Sequence, residues 1–119
     1  MNAVGIDVSK GKSMVAVMRP FGEMVLSPFE VSHSSSELSK LARLLKSLDG
    51  ESRVILESTG NYHAPVAKVL HDAGVYVSVV NAMLVHGYGN NSLRRAKTDK
   101  KDAVRLANFG LDHWLSLPR

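Results

Sequence analysis

The sequence predicts an α/β domain in which a mixed sheet of about five strands is flanked by helices. Three short apolar runs, separated by turn residues at 10–12 and 20–22, occupy the first thirty or so residues. Two helical patterns follow, and each leads into another short apolar run, at 54–56 and at 75–80. A strand, helix, strand order favours parallel pairing, so we expect an antiparallel first half and a parallel second half.

The first three strands are predicted at residues 3–9, 13–18 and 23–31, as an antiparallel meander. In the first strand, large apolar residues alternate with a face of small residues such as Gly5, and Asp7 lies on that second face. This face leaves room for a helix or a substrate to come close.

The first helix has a recognisable start and stop. Ser34 with Glu37 three residues later forms a capping-box pattern, and Gly50 ends the helical stretch. The apolar stripe of this helix consists of Leu38, Leu41, Leu45 and Leu48.

The second half of the sheet is predicted from a strand, helix, strand unit that should be right-handed. A strand at 54–56 ends at Glu57, and the helix that follows tolerates Pro65 in its first turn. Gly74 fits a helix C-cap before the strand at 75–80. The buried stripe of this helix is predicted to be Val66, Val69, Leu70 and Ala73.

Residues 81–97 have no sustained periodicity, and we expect a mobile loop that could order on nucleic acid. A final helix is predicted to begin after Thr98 as its N-cap. Helical spacing then places Asp99 and Asp102 on an inward face. That face continues through Ala103, Leu106 and Gly110.

Four acids therefore end strands or begin a helix where they could meet at one end of the sheet: Asp7, Glu57, Asp99 and Asp102. Clustered carboxylates suit hard cations such as Mg²⁺ or Mn²⁺, and two such ions can support phosphodiester chemistry. Taken singly, each acid has an ordinary structural explanation. Asp7 could close a turn, Glu57 could form a salt bridge, and the last two could complement a helix dipole.

The positive charge is concentrated near the last two acids. Residues 91–119 contain seven basic and three acidic residues and so carry the whole net charge of +4. Basic patches of this kind bind the phosphate backbone of nucleic acid, although a charge run can equally be a solvated surface. Tyr62 is added to the candidates because it could stack on a base. The candidate nucleic-acid contacts are Lys10, Tyr62, Arg94, Arg95, Lys97, Lys100, Lys101 and Arg105.

Four motifs in this order resemble a known family: GIDVSK at 5–10, ESTGNYH at 57–63, VVN at 79–81 and KTDKKDA at 97–103. The chain resembles the DEDD insertion-sequence transposases, which include Piv-type DNA invertases and RNA-guided bridge recombinases. The resemblance implies a ribonuclease H-like fold similar to that of the resolvase RuvC. It also implies that the four acids bind Mg²⁺ or Mn²⁺ for DNA strand cleavage and transfer.

The resemblance further implies DNA as the partner and a dimer or tetramer as the assembly, and it leaves open whether a guide RNA takes part. We expect residues 1–110 to form the catalytic domain and residues 111–119 to begin a linker. Family members continue into a C-terminal domain with a serine thought to attack DNA, so we expect this chain to be a fragment or a truncated member.

Composition restricts the classes of protein to which this chain could belong. With 119 residues, 45% of them hydrophobic, one core is expected, and the absence of cysteine excludes disulfides and thiolate metal sites. No stretch has the length and apolarity of a signal peptide or membrane span, so a cytoplasmic protein is expected.

Two rival functions remain open from the sequence. An actin-like ATPase or sugar kinase would share the fold, but it needs a glycine-rich phosphate loop, and Gly11 stands alone. A binding module without catalysis would tolerate loss of the acids. Among other reactive residues, Ser9 and Ser13 have no evident base partner, and His63 is a candidate for lining the cleft.

Overall fold

The computed structural model describes residues 1–58, 62–81 and 99–119, with Asp99 described by its backbone only. The predicted loop at 81–97 and the predicted N-cap Thr98 therefore lie, apart from Asn81, outside the described residues. The described strands and helices are β1 (Asn2–Ser9), β2 (Lys12–Arg19), β3 (Glu23–Ser32), α1 (Ser35–Ser47), β4 (Ser52–Glu57), α2 (His63–Asp72), β5 (Tyr76–Val80) and α3 (Asp99–Asp112). Short 3-10 turns occupy Pro20–Gly22 and Trp114–Ser116.

The described strands form one five-stranded sheet in the order β3-β2-β1-β4-β5. β1 pairs antiparallel with β2, and β2 pairs antiparallel with β3, which confirms the predicted meander. β1 and β5 both pair in parallel with β4, which lies between them. The predicted mixed sheet flanked by helices is thus confirmed.

The sheet separates two apolar cores because successive side chains of a strand point to opposite faces. On one face, Val4 and Ile6 of β1 pack with buried residues of α1 and α2. On the other face, Ala3 of β1 and Ile55 of β4 pack with α3. The predicted division of β1 into a large apolar face and a small-residue face therefore corresponds to two different helical layers.

The start of α1 is capped as the sequence predicts, except that the Glu37 side chain accepts from a different backbone amide. The Ser34 hydroxyl accepts a hydrogen bond from the Glu37 amide at 3.2 Å. The Glu37 carboxylate accepts from the Ser32 amide at 3.1 Å, so the return bond of the box reaches two residues further back. The helix ends at Ser47, before Gly50, whose φ of +84° is in the left-handed region.

The contact between α3 and β1 is unusually close because Gly5 has no side chain. A Cβ atom built on Gly5 would lie 2.0 Å from the Ala103 carbonyl oxygen and 2.6 Å from the Ala107 amide nitrogen. Further along α3, a Cβ on Gly110 would lie 2.3 Å from Cδ1 of Ile55. The helix backbone can therefore rest almost directly on the strand.

The residues after α3 are fixed to the sheet by an arginine stack. The Arg53 guanidinium lies over the rings of Tyr76 and Trp114, with 4.5 and 4.4 Å to the centroids. The Tyr76 hydroxyl donates to the Leu117 carbonyl at 2.9 Å, and Leu117 is buried. Residues up to Leu117 thus pack on the domain, while the predicted boundary after residue 110 stays a prediction. No helix in the described ranges combines the length and apolarity needed to cross a bilayer.

One interpretation of the sequence is corrected by the fold. Ser13 does have an imidazole partner, because its hydroxyl lies 2.7 Å from Nε2 of His33, twenty residues away on the chain. Ser13 is only 2% exposed, and it belongs to the face of the sheet opposite to Asp7. The pair therefore joins β2 to the segment before α1, and the Ser13 hydroxyl is closed to a substrate. Burial lowers the pKa of His33 below its ordinary value of 6.5.

Replacing Gly5 by alanine should separate α3 from the sheet. The added methyl group meets backbone atoms that cannot rotate away, so we expect a loss of about 3 kcal/mol in the free energy of unfolding. Gly110→Ala is the matched control, because its methyl group meets the side chain of Ile55 and not backbone atoms, and because alanine also favours the helix. Its expected loss is about 1 kcal/mol or less. Urea unfolding followed by Trp114 fluorescence measures both, and equal losses would contradict the backbone contact.

The partly buried His33 should make stability depend on pH in a defined window. Because the folded pKa is depressed, the unfolded chain binds a proton more readily, and stability falls as pH drops below about 6.5 towards the folded pKa. His33→Gln should remove this part of the pH dependence. His71→Gln, at an exposed histidine of α2, should leave it in place. Denaturant midpoints measured between pH 5 and 8 test this, and identical pH profiles for the two variants would refute it.

Candidate active site

Two of the candidate acids lie where the parallel pairing of β1 with β4 ends. The last matched pair between β1 and β4 is Ile6 with Leu56, and Asp7 and Glu57 each follow by one residue. Adjacent strands are about 4.8 Å apart, so the backbones at these two positions are close neighbours. Both acidic residues are half-buried.

Both acids also point to the face that α3 covers. Ala3 and Ile55 contribute to the core beneath α3, and strand alternation gives Asp7 and Glu57 the same orientation. Neither residue is without a partner, since each takes part in an interaction within the folded chain. The small-residue face of β1 thus leads directly to an acidic edge.

The direction of α3 brings its first turn to that same edge. Ala103 and Ala107 lie against Gly5, whereas Gly110 lies towards Ala3, so the helix runs antiparallel to β1. Its N-terminal end therefore lies near the C-terminal end of β1, where Asp7 is found. Asp99 opens the helix, and Asp102 follows within its first turn. The inward face predicted for this helix is confirmed at Ala103, Leu106 and Gly110.

Asp102 has a defined electrostatic environment. Its Oδ1 atom lies 2.9 Å from Nη2 of Arg105, and the two side chains are 17% and 24% exposed. Oδ1 is buried, yet among the described residues no N–H or O–H donor is aligned on it. The positive end of the helix dipole also favours a negative charge in this turn. Asp102 is therefore a carboxylate whose charge is offset within its own helix, with an incompletely satisfied oxygen.

The chemistry of these donors fits a hard divalent cation. The candidate ligands are carboxylate oxygens, the chain has no thiol, and Asp102 offers a buried oxygen without an aligned donor. Among the side chains that the structure describes, which omit that of Asp99, no three acidic or histidine groups already form a metal-binding set. The described residues thus show that the C-terminal parts of β1 and β4 and the start of α3 lie at the same edge of the sheet. Asp99 is located there by its backbone alone.

Comparison with known proteins identifies the family. A family model described as "Transposase", for DEDD transposases of the IS110 type, matches residues 4–118. The chain belongs to the DEDD transposase family. This confirms the resemblance carried by the four motifs, and the match extends from within β1 to beyond the end of α3.

Two curated relatives are DNA-inverting proteins by name. The pilin gene-inverting proteins of Moraxella bovis and Moraxella lacunata are each 39% identical to the chain over 57 residues. The aligned segment is 48% of this chain but only 18% of either relative. The DEDD transposase domain described above therefore corresponds to a small part of those longer proteins.

Two solved structures show the same fold. Thermus thermophilus RuvC is 17% identical, with a TM-score of 0.63 over 96% of this chain and 95% of RuvC. Its structure in complex with a Holliday junction substrate gives 0.65 at 16% identity, over 97% and 95% of the two chains. The DEDD transposase domain thus has the RuvC-like, ribonuclease H-like fold that the resemblance implied.

The candidate nucleic-acid contacts of this DEDD transposase domain fall into three groups. Lys10, Lys100 and Lys101 are exposed, and Tyr62 is 49% exposed immediately before α2. Arg105 is half-buried in its contact with Asp102. The others, Arg94, Arg95 and Lys97, lie outside the described residues. Lys100 and Lys101 occupy the first turn of α3, beside the acidic edge.

Sequence reasoning missed two features of this site. The pairing of Asp102 with Arg105 was not predicted, although a spacing of three residues on a helix is a known signal for an ion pair. His63 was named only as a candidate for lining the cleft. It is half-buried at the start of α2, and its Nδ1 atom is buried without a hydrogen-bond partner among the described residues.

Proposed function

We propose that this domain is the metal-dependent catalytic part of a DNA transposase or site-specific recombinase, acting in DNA strand cleavage and transfer. The observation that carries the proposal is the convergence of the ends of β1 and β4 with the start of α3, each bearing a candidate acid. Membership in a transposase family supports it. The names of the Moraxella relatives support DNA inversion as one form of the reaction.

Asp7, Glu57, Asp99 and Asp102 would hold one or two divalent cations, Mg²⁺ or Mn²⁺. When bound, such ions activate a nucleophile and neutralise the charge that builds on a scissile phosphate. The chain's own contribution is to hold carboxylates on two rigid strands and one helix. Their spacing then depends on the packing of α3 rather than on loops.

The surface around the acidic edge would bind the DNA backbone. Lys100 and Lys101 are exposed in the first turn of α3, where the helix dipole also attracts phosphate. Lys10 lies in the turn after β1, next along the chain from the Asp7 end. Tyr62 has enough exposed surface to stack on an unpaired base. A branched or partly unpaired DNA is the substrate class that fits this combination.

The activity of a whole protein would require more than this domain. From the family resemblance, we propose a further domain that supplies the nucleophile, and a dimer or tetramer that cuts several strands in concert. A guide RNA is a further partner to be tested. The family match does not favour the actin-like ATPase alternative.

The first test is a calorimetric Mn²⁺ titration of the parent chain, Asp7→Asn and Asp102→Asn at fixed pH and salt. If distant segments build one metal site, each variant should lose at least about ten-fold in affinity, because an amide oxygen is a weaker ligand than a carboxylate. Asp112→Asn, an exposed acid at the far end of α3, is the matched control and should bind as the parent does.

Equal titrations for the parent and all three variants would contradict the proposal. Repeating them with a four-way DNA junction present covers the case in which DNA completes the site. If binding is still the same in every protein, the acids are structural and the catalytic assignment is wrong.

DNA binding should depend on the bases at the start of α3. Lys100→Gln should weaken binding to a four-way junction and lower the magnitude of the salt slope of log K by about 1, since one phosphate contact is lost. Lys40→Gln, an exposed residue of α1 on the opposite side of the sheet, should leave the slope unchanged. Fluorescence anisotropy at several salt concentrations measures both. Identical slopes would show that DNA lies elsewhere.

A further inference from the structure

The pair of Asp102 and Arg105 differs from the other ion pairs among the described residues. In each of the others, the acidic partner is more than half exposed, with values from 55% to 60%. Asp102 and Arg105 are 17% and 24% exposed, so water screens their attraction less. This ion pair therefore has more influence on the position of its carboxylate than a surface pair would have.

The contact is close but poorly directed. Nη2 of Arg105 is 2.9 Å from Oδ1 of Asp102, yet no N–H of the described residues is aligned on that buried oxygen. A strong arginine–carboxylate pair has two parallel hydrogen bonds. Arg105 thus acts as a nearby counter-charge and does not clamp the carboxylate, so the guanidinium can leave without breaking a well-formed bidentate pair.

The same carboxylate is a proposed metal ligand, and this creates a competition. A divalent cation that approached Asp102 would meet the positive guanidinium within a few ångströms and be repelled by it. Once the cation has neutralised Asp102, the guanidinium loses its partner. A DNA phosphate is then the acceptor whose geometry the guanidinium fork matches best.

We propose that Arg105 is a positioning residue with two alternative partners. In the metal-free domain it is the counter-charge of Asp102, one turn further along α3. When a divalent cation binds, Arg105 releases Asp102 and contacts a phosphate of the DNA. The inference rests on the proposed function, since it requires Asp102 to be a metal ligand. It adds that metal binding and DNA binding are coupled through one side chain.

The test compares Arg105→Gln and Arg105→Lys with the parent. Without DNA, Arg105→Gln should bind Mn²⁺ about three- to ten-fold more tightly by calorimetry, because the competing charge is gone. Arg105→Lys keeps the charge and should bind Mn²⁺ nearly as the parent does. Arg43→Gln makes the same substitution at an exposed position of α1 and should also match the parent.

Two readouts independent of Mn²⁺ affinity complete the test. In chelator, Arg105→Gln should lower the Tm, because Asp102 has lost its counter-charge, and saturating Mn²⁺ should reduce that difference. In DNA binding, Arg105→Gln should lower the magnitude of the salt slope by about 1 with Mn²⁺ present, and change it little without metal. A merely structural arginine would affect both conditions equally.

The outcomes separate this inference from the proposed function. If the parent binds Mn²⁺ and Asp102→Asn does not, but Arg105→Gln binds equally or more weakly, the alternation is wrong and the metal site stands. If Arg105→Gln does not fold, Arg105→Lys is measured in its place. Weaker Mn²⁺ binding than in the parent, or an equal change in DNA binding with and without Mn²⁺, would then overturn the inference. If neither the parent nor any variant binds Mn²⁺, with or without DNA, both proposals fail.

Discussion

The close packing of α3 on β1 is the constraint on which the candidate site depends. Because Gly5 has no Cβ, the backbone of the helix at Ala103 and Ala107 comes against the strand. Since helix and strand run in opposite directions, this contact brings the first turn of α3 to the end of β1. A bulkier residue at position 5 would move the helix outward and carry Asp102 away from the strand ends. The small-residue face of β1 is therefore a packing solution on which the proposed site also depends.

The two ends of the sheet have different electrostatic roles. At one end, carboxylates accumulate on strand ends and a helix start, and their charge is offset by Arg105, the helix dipole and, as proposed, a divalent cation. At the other end, the Arg53 guanidinium lies between aromatic rings and fixes the residues after α3. Arg53 therefore fixes the residues after α3 to the sheet, whereas Arg105, as proposed, changes its partner from Asp102 to a DNA phosphate.

Much of the fold could be predicted because its signals are local. Alternation in β1, the cap at Ser34 and the glycine after α2 each report the geometry of a few neighbouring residues. The details that the sequence did not predict are the partners of particular side chains. The Ser13–His33 contact joins residues that only the meander brings together, and the return bond of Glu37 reaches Ser32. Neither partner can be deduced from residue type or spacing alone.

The sequence by itself determined the element types, the mixed sheet, the family and the four acids that form the candidate site, because periodicity and motif spacing are properties of the chain. Tertiary structure decided which faces meet. It placed Asp7 and Glu57 on neighbouring strands, and it oriented α3 so that its first turn, with Asp102, lies at the same edge of the sheet. These placements depend on strand register and on one backbone contact at Gly5, and neither is encoded by any single segment.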